Sequence, residues 1–127
     1  MPIFYIRREF FEALLQGKKK AEVRVGDFWA KLAEKIRDKK VKPLAIFRCG
    51  SKVLPMEIYK VEVYPSIKRA LANGRWRLLG LKANTYPEAV DEVRKLYTRG
   101  AKGPTVIFWI RKLRNYDLDA IRREMMI

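Results

Sequence analysis

The order of strand-like and helix-like segments constrains this chain more than any other feature. Apolar segments with strand character at 3–7, 21–25, 44–48, 53–64 and 105–110 are separated by segments with helical spacing at 8–16, 28–38, 67–73 and 86–97. Five or so strands with helices between and around them predict a mixed α+β domain. A chain of 127 residues can enclose one core and is too short for two. The best apolar run, 106–110, is five residues long, against the ~20 that a membrane-spanning helix needs. Arg7, Arg8 and Glu9 come too early for a signal peptide, so a soluble, cytoplasmic protein is the expectation.

The helices carry their own punctuation. Phe10, Phe11, Leu14 and Leu15 recur on one face of the first, and Gly17 stands where a terminator belongs. Asp27 is the expected N-cap of the second, whose core face is Phe28, Trp29, Leu32, Ala33 and Ile36. Ser66 and Thr85 are expected to cap the helices at 67–73 and 86–97, with Pro87 and Glu88 suited to a first turn. Pro55 interrupts the long strand at 53–64; beyond it Ile58, Lys60, Glu62 and Tyr64 alternate with Tyr59, Val61 and Val63, one face apolar and the other mixed. The branched and aromatic residues of 105–110 predict a central strand. An amphipathic piece at 118–126 makes the end of the chain, about 115–127, a helical extension that pads the domain or meets a protein partner through Ile121, Met125 and Ile127.

Composition removes several chemistries. One cysteine and no histidine leave no internal disulfide, no histidine-activated thiolate, no serine–histidine–aspartate triad and no zinc site of cysteines and histidines. No cofactor is expected, and Cys49 reads as a small buried apolar residue. A single glutamine and three asparagines beside abundant Lys, Arg and Glu resemble residue usage at high temperature.

The net charge of +15 is unevenly spread. Residues 18–42 carry ten basic and four acidic side chains, 66–82 five and none, and 94–114 seven and none. A field of this sign draws polyanions, so nucleic acid is the expected partner class, with salt-dependent binding.

Between the first helix and the second strand the chain reads Gly-Lys-Lys-Lys-Ala-Glu-Val-Arg, residues 17–24. Strand alternation puts Glu22 and Arg24 on one face and Ala21, Val23 and Val25 on the other, with Lys18, Lys19 and Lys20 at its edge. The group offers donors for a phosphate or base edge, an acceptor for an exocyclic amine, and a lysine whose proton affinity its neighbours can tune. Read from spacing alone, the same residues also fit a solvated loop with a surface ion pair. Further on, Trp76 between Arg75 and Arg77 suits stacking on a base with phosphates beside it, or packing inward with Leu78 while the arginines face water.

The pattern G-x-K-x-x-E-x-R, met by Gly17, Lys19, Glu22 and Arg24, resembles the signature of the ASCH domains, a branch of the PUA-like superfamily. The likeness extends over about 3–110, including the strand ending at Tyr64 and the two helices after it. It implies a mixed β-barrel of five to six strands with surrounding helices, and a cleft between the first helix and the barrel that receives RNA or a modified nucleobase. Lys19 would then donate to a phosphate or carbonyl, Glu22 accept from an amine or hold Lys19 in place, and Arg24 give a forked contact, with Tyr64 and Trp76 as stacking candidates. Some members hydrolyse N4-acetylated cytidine with the signature lysine, a threonine and a later glutamate; others cleave single-stranded RNA. Here Glu22 stands at the threonine position, and 72–81 holds no acid. An RNA- or nucleotide-binding domain is therefore the first expectation. A hydrolase using Lys19 and Glu22 is the second, and a protein-interaction module or homodimer the third.

Overall fold

The computed structural model describes residues 2–97, 102–113 and 123. Five strands, β1 (Ile3–Tyr5), β2 (Ala21–Val25), β3 (Leu44–Cys49), β4 (Lys52–Tyr64) and β5 (Thr105–Lys112), form one sheet in the order β1-β3-β4-β5-β2. Only β1 and β3 run parallel; the other pairs are antiparallel. The sheet curls into a half-barrel, flanked by α1 (Arg8–Leu15), α2 (Asp27–Arg37), α3 (Ile67–Leu71) and α4 (Tyr86–Leu96), which is the expected α+β architecture with an open seam.

Strand β5 is the partition of the molecule. Val106, Phe108 and Ile110 enter one apolar cluster with Phe4, Phe47, Met56 and Ile58. Ile107 enters another with Ala21, Val23, Leu71, Leu79 and Val93. Successive residues point to opposite faces, so a strand with a core on each side must be apolar throughout. Helix α2 covers the first cluster through Ala33 and Ile36; α3 and α4 cover the second through Ala70, Leu71, Ala89 and Val93.

Strand β4 changes partners along its length, pairing with β3 from Lys52 to Glu57 and with β5 from Met56 onward. Pro55 lies where only β3 is its neighbour, so it does not break the strand. An extra residue at Tyr59 shifts the register between Ile58 and Lys60. The alternation expected across 58–64 therefore holds only beyond the shift, where Lys60, Glu62 and Tyr64 lie opposite Val61 and Val63; Ile58 is on the Val61 side instead, facing the first cluster with Met56, and Val63 stays 41% exposed.

Other expectations need correction. Leu15 and Phe28 are exposed, not core, because each helix buries a stripe narrower than its apolar residues span. Asp27 is the first helical residue rather than the cap; Gly26 occupies the cap position, without a side-chain hydrogen bond. The helix expected over 67–73 ends at Leu71, and Cys49 is half-buried. Ser66 and Thr85 do cap, accepting from the amides of Arg69 and Glu88. The C-terminal extension lies outside the described residues apart from Arg123. Among the described residues no helix is long and apolar enough to cross a membrane.

Phe108 is fully buried, edge-on to Phe4 with ring centres 5.2 Å apart. Phe108→Ala is expected to cost about 3–5 kcal/mol of stability, whereas Phe28→Ser should stay within about 0.5 kcal/mol. Urea unfolding of both variants checks this contrast.

Candidate functional site

The site begins with the way α1 stops. Gly17 takes a left-handed conformation, φ +75°. Its amide donates to Leu14 O and that of Lys18 to Ala13 O, the paired bonds of a Schellman turn. The amide of Lys19 also donates to Ala13 O, so the chain doubles back under the helix before entering β2. Lys19 thereby leaves the surface: it is 4% exposed, while Lys18 and Lys20 on either side face solvent.

In β2, Glu22 pairs with Phe108 and Arg24 with Val106. Directly paired residues share a face, so both charges point to the side of the first apolar cluster. Lys19 Nζ donates to Glu22 Oε1 at 3.2 Å and to Leu79 O at 2.7 Å. Arg24 Nη2 donates to Glu22 Oε2 at 3.2 Å and to Tyr5 O at 2.9 Å. The guanidinium lies over the rings of Phe4 and Trp29, 5.2 and 5.0 Å from their centres.

These contacts also close the seam. Strands β1 and β2 are the two edges of the sheet, and Arg24 ties one to the other through Tyr5 O. The amide of Val23 donates to Glu22 Oε1 at 3.0 Å, and its carbonyl accepts from the Tyr97 hydroxyl. A strand edge that would otherwise offer bare backbone groups is thus satisfied by side chains.

Burial sets the protonation states. It pushes the Lys19 ammonium below the ordinary lysine range against the attraction of Glu22. Burial alone would raise Glu22, but the Lys19 and Arg24 charges and their hydrogen bonds outweigh it and hold this carboxyl below the usual range. Burial, reinforced by the Glu22 charge, raises the Tyr97 phenol, which stays protonated as a donor.

Lys19, Glu22 and Arg24 all line a cavity of about 140 Å³, together with Tyr5, Arg7, Phe10 and Tyr97. Arg24 Nε is buried and has no hydrogen-bond partner, an orphan donor of a kind that native structures seldom leave. Among the described residues no three acidic, cysteine or histidine side chains group to hold a metal ion.

Tyr64, Arg75, Trp76 and Arg77 do not line this cavity. Residues Arg75–Leu78 form a short 3-10 turn, with Trp76 packed on the second cluster beside Tyr64. Arg75 covers the Tyr64 ring at 4.6 Å and donates to Ala70 O and Arg69 O; Arg77 lies over Trp76. Trp76 is half-buried against the second cluster, as its inward alternative has it, but without Leu78, which is exposed, and with Arg75 held over Tyr64 rather than facing water.

Sequence reasoning missed Tyr5, Arg7 and Tyr97, for which no local pattern existed, and Gly80. Gly80 has φ +73°, and a Cβ there would stand 3.1 Å from Lys19 Cβ and 3.2 Å from Ala13 Cβ. It is thus required both by conformation and by the close passage of Lys19. Its one sequence signal was a glycine following a helical segment.

Glu22→Gln leaves two cations beside a neutral amide, so it is expected to cost about 3–5 kcal/mol near neutral pH. The Glu22 contribution is present above the ordinary carboxylate value and disappears as pH falls through its lowered folded value. Lys19 works in another window. Between its lowered folded value and the ordinary ~10.4 the unfolded chain holds the extra proton, so stability rises with pH there. Urea unfolding across the pH range should show the wild-type advantage over Glu22→Gln shrinking in acid. The stability of wild type relative to Lys19→Met should grow toward alkaline pH.

No protein-family model matches the sequence, and no curated protein is significantly similar to it. Solved structures do match. Hypothetical protein PH0355 is 23% identical with a TM-score of 0.65, covering 87% of this chain and 97% of its own. PF0455 from Pyrococcus furiosus is 20% identical with a TM-score of 0.60, covering 89% and 97%. A mutant of ZmASCH from Zymomonas mobilis is 15% identical with a TM-score of 0.54, covering 87% and 66%. What these neighbours share with the chain, at so low an identity, is its architecture: the curled half-barrel sheet with flanking helices is the fold of the ASCH structure among them.

Proposed function

We propose that the Lys19 cavity receives one base or phosphate of an RNA strand or nucleotide. The observation that carries this reading is the convergence of Lys19, Glu22 and Arg24 on a single hollow in a chain of net charge +15. About 140 Å³ is well below the ~300–1,000 Å³ of sites that engulf a drug-sized ligand. A single ring or phosphate group fits; the remainder of the ligand stays outside, against the positive surface. Glu22 offers an acceptor for an exocyclic amine, and Arg24 Nε a donor still lacking a partner. Tyr5, 66% exposed among the lining residues, replaces Tyr64 and Trp76 as the stacking candidate. The ASCH fold of the neighbouring structures is consistent with this class of ligand.

One observation favours a second reading, hydrolysis. A lysine with a proton affinity depressed by burial is a better base or nucleophile than an exposed one. Among the described residues that line the cavity Glu22 is the sole carboxylate, and its charge is committed to Lys19 and Arg24, so these residues supply no separate acid. Binding is therefore placed first.

Calorimetric titration with pyrimidine nucleoside monophosphates and short unpaired RNA tests the binding reading. Arg24→Lys, which keeps the charge but loses the fork, is expected to weaken binding roughly tenfold. Arg7→Ala, at an exposed position, should cost a few-fold and flatten the salt dependence. Unchanged affinity in both variants would retire the cavity as a binding site. Turnover of N4-acetylcytidine or unpaired RNA that disappears in Lys19→Ala would promote the hydrolase instead.

A further inference from the structure

A second concavity of about 810 Å³ lies where the end of α2 and the loop after it face β4 and β5. It shares no lining residue with the Lys19 cavity. Arg37, Lys39 and Lys40 line its helix side, and Lys60 and Arg111 its strand side. Among the described residues that line it, Glu57 is the one carboxylate, and it holds Arg111 through contacts of 2.8 and 3.3 Å. No carboxylate of the described residues stands within ion-pair distance of Arg37, Lys39 or Lys40. Among the described residues, then, Arg37, Lys39 and Lys40 have no carboxylate to offset their charge where they meet solvent, although Arg37 Nη2 also reaches Val61 O at 3.5 Å.

Two local features make this more than a scatter of surface charge. The first is the turn that ends α2. The Lys39 amide donates to Ile36 O and the Lys40 amide to Lys35 O, the bonding pattern that Gly17 and Lys18 make after α1. Here, however, the left-handed position is held by Lys39, φ +59°, where glycine would be the unstrained choice. A cation is kept at a position whose backbone opposes any side chain. The second is the bulge in β4, which turns Tyr59 outward until it is 49% exposed, with the Arg111 guanidinium over its ring at 5.1 Å.

We propose that this groove binds a single-stranded polynucleotide, its phosphates against the Arg37–Lys39–Lys40 turn and a base stacked at Tyr59. Cations along a groove with an accessible aromatic are the elements of sequence-tolerant single-strand binding. An acidic peptide would use the cations and leave the aromatic without a role. The proposal stands apart from the Lys19 cavity: the two surfaces share no lining residue, a mononucleotide reports on the cavity alone, and the groove is read by how variants in its own lining change the binding of an extended strand.

The test is fluorescence anisotropy with a short oligouridine over a range of salt, on wild type, Lys39→Gly/Lys40→Ala and Tyr59→Ala. The double variant removes two cations and relieves the left-handed strain, so its melting temperature should hold or rise while RNA affinity falls roughly tenfold. The slope of log affinity against log salt should become shallower by ~0.7 for each cation lost. Tyr59→Ala should weaken binding about fivefold or more, and mononucleotide binding should be unchanged in both variants. Unaltered oligouridine affinity and slope in the double variant would overturn the proposal. So would oligoglutamate binding that matches the RNA and shows the same loss in Tyr59→Ala.

Discussion

The interaction on which the rest depends is the burial of an ionised Glu22 between two cations on the core side of an edge strand. Placing charge there is costly in isolation, since removing ions from water outweighs their attraction unless every lone pair and proton finds a partner. Glu22 comes close to that condition: its oxygens accept from Lys19, Val23 and Arg24, three of the roughly four lone-pair sites of a carboxylate. The cations meet it in part through backbone carbonyls, Leu79 for Lys19 and Tyr5 for Arg24. Those carbonyls belong to segments remote in sequence. The ion group therefore acts as a strut between the first strand, the second strand and the turn before α4, joining parts of the chain that the sheet's own ladder leaves apart.

The curled sheet explains why a strut is needed at that place. A closed barrel satisfies its edges by pairing the first strand with the last. Here β1 is three residues and β2 five, and they are the two edges of the sheet. Side chains from β2 and Tyr97 take the role that a ladder would have had. A seam closed by side chains can leave a hollow where a seam closed by backbone would not. The cavity and the incomplete closure are consequences of one arrangement.

Much of this was legible in the sequence because local rules and tertiary structure agree. Gly17 reads as a helix stop and is one; the apolar run at 105–110 reads as a central strand because it serves two cores. The pairing of Glu22 with Arg24 on one face followed from alternation alone. What alternation cannot supply is which face turns inward, so spacing alone left a solvated loop open for Lys19, and only its passage beneath α1 and past Gly80 takes it out of solvent. The phase error in β4 has a similar origin, since one inserted residue at Tyr59 reverses every later assignment relative to Ile58 and leaves no mark in composition. Leu15 and Phe28 extend apolar stripes beyond what their helices cover, and nothing in the spacing says where a stripe ends. Tyr5 and Tyr97 are far apart in sequence and meet at the cavity only through the fold.

The two sets of cations differ in what they can do, and burial is the reason. Unit charges 4 Å apart interact by about 1 kcal/mol in water and about 4 kcal/mol where the effective dielectric constant is near 20. Exposed lysines act through the first regime and are screened beyond ~8 Å at physiological salt. They raise the local concentration of a polyanion without distinguishing its parts. Lys19 and Arg24 act through the second, fixed by Glu22, Leu79 and Tyr5, so a group that enters their cavity is judged on the placement of its donors and acceptors. On the proposed reading, a basic surface beside a buried, cross-braced ion group divides recognition into capture that is broad and salt-sensitive, followed by inspection that is local and geometric.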